Sequence, residues 1–140
     1  MRRTRGRTVI PPQTAVYLEH YAVWGDGWAG PNVELVRSAG GEEDTVVLVG
    51  STEMRYLRSP LELVVFVDEE PVGECAIRVS DFHFEIRLAR ALAAGSHRIR
   101  VRANTWWVPH QLNRCGDYRA LSWRPAAGSI SFTSSSSQED

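Results

Sequence analysis

The sequence predicts an all-β protein: a two-sheet antiparallel β-sandwich, jelly-roll-like, with about eight strands. Three observations carry this. Apolar side chains recur with a period of two rather than 3.6. Breaks rich in Gly, Pro and Asp separate the runs at short intervals. No amphipathic stretch is long enough to be the crossover helix of a parallel sheet. Each alternating strand sends one face to a core and the other to solvent, and two such sheets cover one another in a sandwich.

The elements follow in order. Residues 1–13 carry Arg2, Arg3, Arg5 and Arg7, end just after Pro11-Pro12, and read as a basic flexible arm. Residues 14–24 are rich in aromatic and β-branched side chains and suit a first strand, broken at Gly25-Asp26-Gly27 and again at Gly30-Pro31. Residues 33–37 make a second strand, stopped by Ala39-Gly40-Gly41. The unbroken apolar run at 45–49 reads as a strand buried on both faces. Leu61–Val67 starts just after Pro60, and Asp68-Glu69-Glu70-Pro71 turns it back into 72–79.

Phe82, Phe84, Ile86 and Leu88 alternate with His83, Glu85 and Arg87; Ile99, Val101 and Ala103 alternate with Arg98, Arg100 and Arg102. Between these two strands, 89–94 is the one plausible helical turn, too short to stand alone. Ile130 and Phe132, set between Ser129, Ser131 and Thr133, close the fold. The sandwich domain is expected to span 14–133, with 134–140 a polar, disordered tail that buries nothing.

Composition narrows the function. A chain of 140 residues fits one domain. A net charge of −1 gives no reason to expect a polyanionic partner, and no motif of a nucleic-acid reader is present. All 16 basic residues are Arg, which reads as compositional bias rather than selected guanidinium chemistry. Cys75 and Cys115 lack metal-ligand spacing and are read as free thiols in a reducing, cytoplasmic setting. No run approaches the roughly 18 apolar residues of a membrane span, so no membrane partner is expected. His20, His83, His97 and His110 show neither HxH nor HExxH spacing, so no metal and no cofactor is expected.

No nucleophile elbow, P-loop or GxGxxG occurs, and no catalytic constellation is recognisable. A pair of carboxylates at Glu19 and Asp26, with His20 as base, has no defined separation or cleft behind it. A structural Ca²⁺ beside Asp26 or Asp117 stays open.

The most informative stretch is the connection 104–123, which holds three of the five Trp. Connections this long in a compact domain are uncommon and usually functional or disordered, and aromatic content argues against disorder. Flat aromatic faces suit the C–H side of a pyranose, while planar polar groups suit its hydroxyls. Trp106, Trp107, His110, Asn113 and Tyr118 supply both types within this connection, and Trp28 joins them from another loop; these are the candidate ligand-binding residues. In extended backbone Trp106 and Trp107 point opposite ways, one inward and one outward. Asp117 and Arg119 share a side and are read as the loop's structural anchor, Arg119 donating to backbone carbonyls and Asp117 compensating its charge. The Arg98/Arg100/Arg102 stripe is read as a solvated face compensated by Glu62, Glu74 and Glu85.

At Asp117-Tyr118-Arg119-Ala120-Leu121-Ser122 the chain resembles small β-sandwich accessory domains attached to bacterial glycosyltransferases, through an Asp-x-Arg-x-Leu motif that follows a Trp- and Pro-containing loop. Asp26-Gly27-Trp28-Ala29-Gly30-Pro31 is similar to the entry motif of such domains. Leu61–Val67 leading into Val72 is similar to their central hairpin, and Gly95-Ser96-His97-Arg98-Ile99-Arg100-Val101 to one of their strands. The resemblance covers most of 15–133 and implies a non-catalytic module whose partner is carbohydrate or a glycosyltransferase-type protein. A protein-interaction or assembly domain is the alternative, and a small jelly-roll enzyme acting on sugars the third reading. Oligomeric state stays open.

Overall fold

The computed structural model describes residues 23–127 and 129–135. The first expected strand lies outside this range except for Val23 and Trp24, which are not in a strand; the arm at 1–13 lies outside it altogether. Eight strands are present among the described residues, in two antiparallel four-stranded sheets. They are β1 (Asn32–Ala39), β2 (Thr45–Ser51), β3 (Leu61–Val67), β4 (Glu70–Ile77), β5 (Asp81–Arg87), β6 (Gly95–Ala103), β7 (Arg124–Pro125) and β8 (Ser131–Thr133). The first sheet runs β1-β6-β3-β4. In the second, β5 flanks β2 on one side, and β7 and β8 share its other side. The chain is a β-sandwich, and most of its connections pass from one sheet to the other.

Period two decides what is buried. Leu61, Leu63, Val65 and Val67 of β3, Ile99 and Val101 of β6, and Cys75 and Ile77 of β4 face inward; Val46, Leu48, Phe82, Trp123 and Ile130 meet them from the other side. The apolar run in β2 does not bury both faces as its composition suggests. Val46 and Leu48 are fully buried, whereas Val47 and Val49 are only partly covered. The reason is that β2 lies in a two-layer sandwich, which gives each sheet one inner face, and that among the described residues no third layer covers the outer one.

The β3–β4 hairpin turns at Asp68 and Glu69, both at positive φ (50° and 73°), the twist a two-residue hairpin requires. Asp68 is held there by its own side chain, which accepts from the Arg98 N–H (3.0 Å) and lies 2.6 Å from His97 Nδ1. Pro71 follows in β4, an edge strand, where a missing donor is tolerated.

Residues 89–94 form no helix. Their main-chain groups are drawn into tertiary bonds instead: Leu92 N–H donates to Glu43 O (2.8 Å), and the Ala93 carbonyl accepts from His97 Nε2 (2.7 Å). The closing strand is split. Arg124–Pro125 pairs with the end of β2 and Ser131–Thr133 with its start. Between them the Ser129 hydroxyl accepts the Val49 N–H (2.9 Å), filling the gap in the ladder. Gly50 of β2 permits this closure, since a Cβ there would lie 2.7 Å from Arg124 O and 3.0 Å from the Trp123 ring. Of the expected tail, Ser135 docks on Asp44 through both its N–H (2.8 Å) and its hydroxyl (2.7 Å), and 136–140 lie outside the described residues.

On the outer face of the first sheet, Arg98 pairs with Glu69 (3.3 Å) and Glu34 (3.6 Å). Arg100 and Arg102 lie over the Phe66 ring at 4.4 and 5.2 Å. These partners replace the expected ones; Glu85 stands in the other sheet, against His83 at 3.2 Å.

Candidate functional site

The connection leaving β6 continues the strand's alternation: Ala103, Thr105 and Trp107 are buried, while Asn104 and Trp106 are exposed. Trp107 is 7 % exposed and Trp106 37 %. The chain then doubles back on itself. Trp107 and Leu121 exchange main-chain hydrogen bonds (2.9 and 2.8 Å), and His110 N–H donates to Asp117 O (2.8 Å). Ser122 Oγ donates to Thr105 O and Thr52 Oγ1 to Ser122 O, both at 2.7 Å, so the buried hydroxyls are satisfied.

Between the two arms sits a short helix, α1 (Pro109–Asn113), which strand periodicity cannot reveal. Pro109 stands in its first turn, where a missing N–H costs nothing. Arg114 ends it at φ 57°, with its N–H on His110 O (2.8 Å).

A second loop packs on this one. Trp24 N–H donates to Trp28 O and Gly27 N–H to Trp24 O, and Ala29 bridges Trp123, each at 2.8 Å. Gly30 makes the approach possible, because a Cβ there would lie 2.8 Å from Ala120 O. Arg119 locks the two loops together. Its Nε (2.9 Å) and Nη2 (2.8 Å) donate to Asp117, and its Nη1 (3.0 Å) and Nη2 (2.8 Å) donate to Asp26. Its guanidinium also lies 5.3 Å from the Trp24 ring. Arg119 thus joins two loops through two carboxylates, and not through the backbone carbonyls expected of it. A bidentate fork suits carboxylates, and each acid left alone would be a partly desolvated charge.

Electrostatics follow from this geometry. The hydrogen bonds from Arg119 hold the Asp26 carboxyl down to about 2 and the Asp117 carboxyl below its ordinary range. Asp117, then Asp26, push the Arg119 pKa upward. Asp26 is thus held ionised against Arg119, while Glu19 and His20, set beside it in the sequence, lie outside the described residues. The guanidinium also bonds the very oxygens a calcium at Asp26 or Asp117 would need. Among the described residues, no three or more His, Cys, Asp or Glu side chains are grouped to hold a metal ion.

Where the two loops meet, they enclose an open cleft of about 570 Å³. Trp107 is one wall; its ring centroid lies 5.3 Å from Trp28, edge to face at 83°, and 5.5 Å from Tyr56 at 56°. Pro109, Leu112 and Leu121 continue the apolar lining, and Asp26, Glu53, Asn113, Asp117 and Arg119 supply the polar groups. Of the six ligand-binding candidates, the cleft brings together Trp28, Trp107 and Asn113. Trp106, His110 and Tyr118 do not line it.

His110 and Tyr118 brace the loop instead. Their rings lie 4.3 Å apart, and the Gly116 N–H donates to His110 Nδ1 (2.9 Å). In the neutral ring that leaves the proton on Nε2, which donates to the Tyr118 hydroxyl oxygen (3.2 Å). Asn113 also accepts the Cys115 N–H (3.2 Å).

Tyr56 and Glu53 are cleft residues that sequence reasoning missed. They belong to a 3₁₀ turn at Met54–Tyr56 and the residue before it, and no local periodicity links that turn to the aromatic connection. Asp26, met in the sequence as a doubtful catalytic acid, an open calcium ligand and the start of an entry motif, is the long-range partner of Arg119.

Neither cysteine is bridged. Cys75 is buried and Cys115 exposed, and burial pushes the Cys75 thiol up to about 11. No helix among the described residues is long and apolar enough to cross a membrane. No family model matches the chain, and no curated protein matches its sequence.

Proposed function

We propose that this chain is a non-catalytic β-sandwich module that binds carbohydrate in the cleft between the Trp24–Gly30 and Trp107–Leu121 loops. It would serve glycan-processing machinery of the glycosyltransferase type in a cytoplasmic setting. The observation that carries the reading is the meeting of Trp28, Tyr56 and Trp107 beside Asp26, Asn113 and Asp117 in one concave site. Aromatic faces take the apolar side of a sugar ring, and the polar groups take its hydroxyls. Arg119 keeps Asp26 and Asp117 fixed before a ligand arrives, which lowers the ordering cost of binding. A cleft this open gives one ring weak affinity, so useful avidity comes from repeated sugars or repeated modules.

The test is a glycan array on the wild type and on Tyr56→Ala, Trp28→Ala and Trp106→Ala. The reading expects a signal that Tyr56→Ala and Trp28→Ala abolish and Trp106→Ala retains. A signal that depends on Trp106 alone would move the site elsewhere.

One observation favours an assembly role as a second reading. Trp106 (37 %) and Leu112 (51 %) are large apolar residues left exposed on the same connection, and Trp in particular is frequent at interface hot spots. A mass that rises with concentration in light scattering, falls with Trp106→Ala and accompanies a blank glycan array would favour it. Turnover of activated glycosides would instead revive the enzyme reading.

A further inference from the structure

Charge in the cleft narrows the class of sugar. Three carboxylates line it, Asp26, Glu53 and Asp117, against one guanidinium, Arg119. That guanidinium is already committed: its Nε, Nη1 and Nη2 all donate to Asp26 and Asp117, so it acts as an internal counter-ion and offers little to a ligand anion. Two further guanidinium groups stand beside the cleft without lining it: Arg124, exposed, whose Nη2 donates to Asp26 O (3.2 Å), and Arg55, paired with Glu53 at 3.4 Å with side chains 72 % and 48 % exposed; exposed charges of this kind are screened by solvent. The groups that line the cleft therefore carry a surplus of negative charge beside three aromatic rings. Aromatic faces are themselves negative and attract cations, an effect that strengthens as the site is desolvated.

We infer that the cleft selects a cationic amino sugar, a pyranose carrying a free protonated amine, over neutral and acidic sugars. The inference rests on the carbohydrate reading above and assigns its ligand class. The C–H face of the ring lies on the aromatic wall formed by Trp28, Tyr56 and Trp107, and the ammonium faces Asp117, Asp26 and Glu53. A neutral hexose satisfies only the first of these contacts, and a uronic acid meets repulsion from the carboxylates.

The test is calorimetric titration of the full chain with three oligosaccharides: β-1,4-glucosamine oligomers, the same oligomers N-acetylated, and oligouronates. Acetylation removes the charge while keeping ring and linkage, so it isolates the ammonium contribution. Two surplus charges some 6–8 Å away in a largely aqueous dielectric give an expected preference of about tenfold for the free amine. High salt should reduce that preference to about threefold or less. Glu53→Gln, at an exposed position that holds no loop, should lower the preference by about threefold with an unchanged melting temperature.

Equal affinity for the free-amine and acetylated oligomers would overturn this inference and leave the carbohydrate reading standing. No binding of any of the three would overturn both. Binding of tetramethylammonium ion without any oligosaccharide would make the cleft a cation site of a different class and overturn the amino-sugar assignment.

Discussion

Replacing Arg119 by Ala is the most informative single perturbation, because two loops depend on one guanidinium. The substitution removes four hydrogen bonds to Asp26 and Asp117. It also leaves two carboxylates facing one another without a counter-charge. Breaking a fully buried ion pair by removing one partner costs about 3–5 kcal/mol. Here the Arg119 side chain is 20 % exposed, Asp117 28 % and Asp26 51 %, so solvent rescues part of that cost, and about 2–3 kcal/mol is expected. For a domain of this size that corresponds to a fall of about 5–10 °C in Tm.

Arg119→Lys should recover only part of the loss, since an ammonium cannot span two carboxylates as a fork does. Asp26 adds a pH signature with a definite sign. Its folded pKa is depressed from 3.8 to about 2, so its contribution is complete above 3.8 and is lost as pH falls through about 2. Arg119→Ala should flatten that acid limb. Thermal melts of both variants by near-UV circular dichroism across pH test this. An unchanged Tm in Arg119→Ala, or full recovery in Arg119→Lys, would refute the reasoning.

Three further outcomes follow. His97 is bonded at Nδ1 to a carboxylate and at Nε2 to a carbonyl, both acceptors, so the geometry favours the imidazolium. The Ala93 carbonyl and Asp68 raise its pKa, so its contribution is complete below 6.5 and fades as pH rises through the folded value; His97→Gln should remove that alkaline decline in denaturant titrations. Gly30→Val should separate the two loops at Ala120 O, costing about 1–3 kcal/mol as overpacking does, with the loss read from the urea midpoint. Cys115 should react rapidly with a thiol reagent at mildly alkaline pH, while Cys75, buried with its thiol near 11, should react only at the rate of unfolding.

The sandwich was legible because long strands with one buried face write alternation into the chain, as at Phe82, Phe84 and Ile86 or Ile99, Val101 and Ala103. Short elements leave no such trace. The two residues of β7 are held by Gly50 and Ser51 across the sheet, and nothing around Arg124-Pro125 alternates. The helix after Val108 is set by Pro109 and by the left-handed Arg114, too few residues for a period. At the site, Trp107, Asn113, Asp117 and Arg119 were legible together because one connection carries them. Tyr56 and Glu53 were not, because tertiary packing alone brings their turn to the cleft. Asp26 carried a signal that went unused: an acid in an aromatic loop is a natural partner for an Arg in another.

The most direct measurement uses the indole N–H resonances of the tryptophans in a ¹⁵N-labelled sample, each assigned by single substitution, during titration with amino-sugar oligomers. Carbohydrate binding in the cleft predicts movement of the Trp28 and Trp107 signals, with Trp106 and the core Trp123 unmoved. Movement of Trp106 alone, or of no indole at saturating sugar, would contradict it.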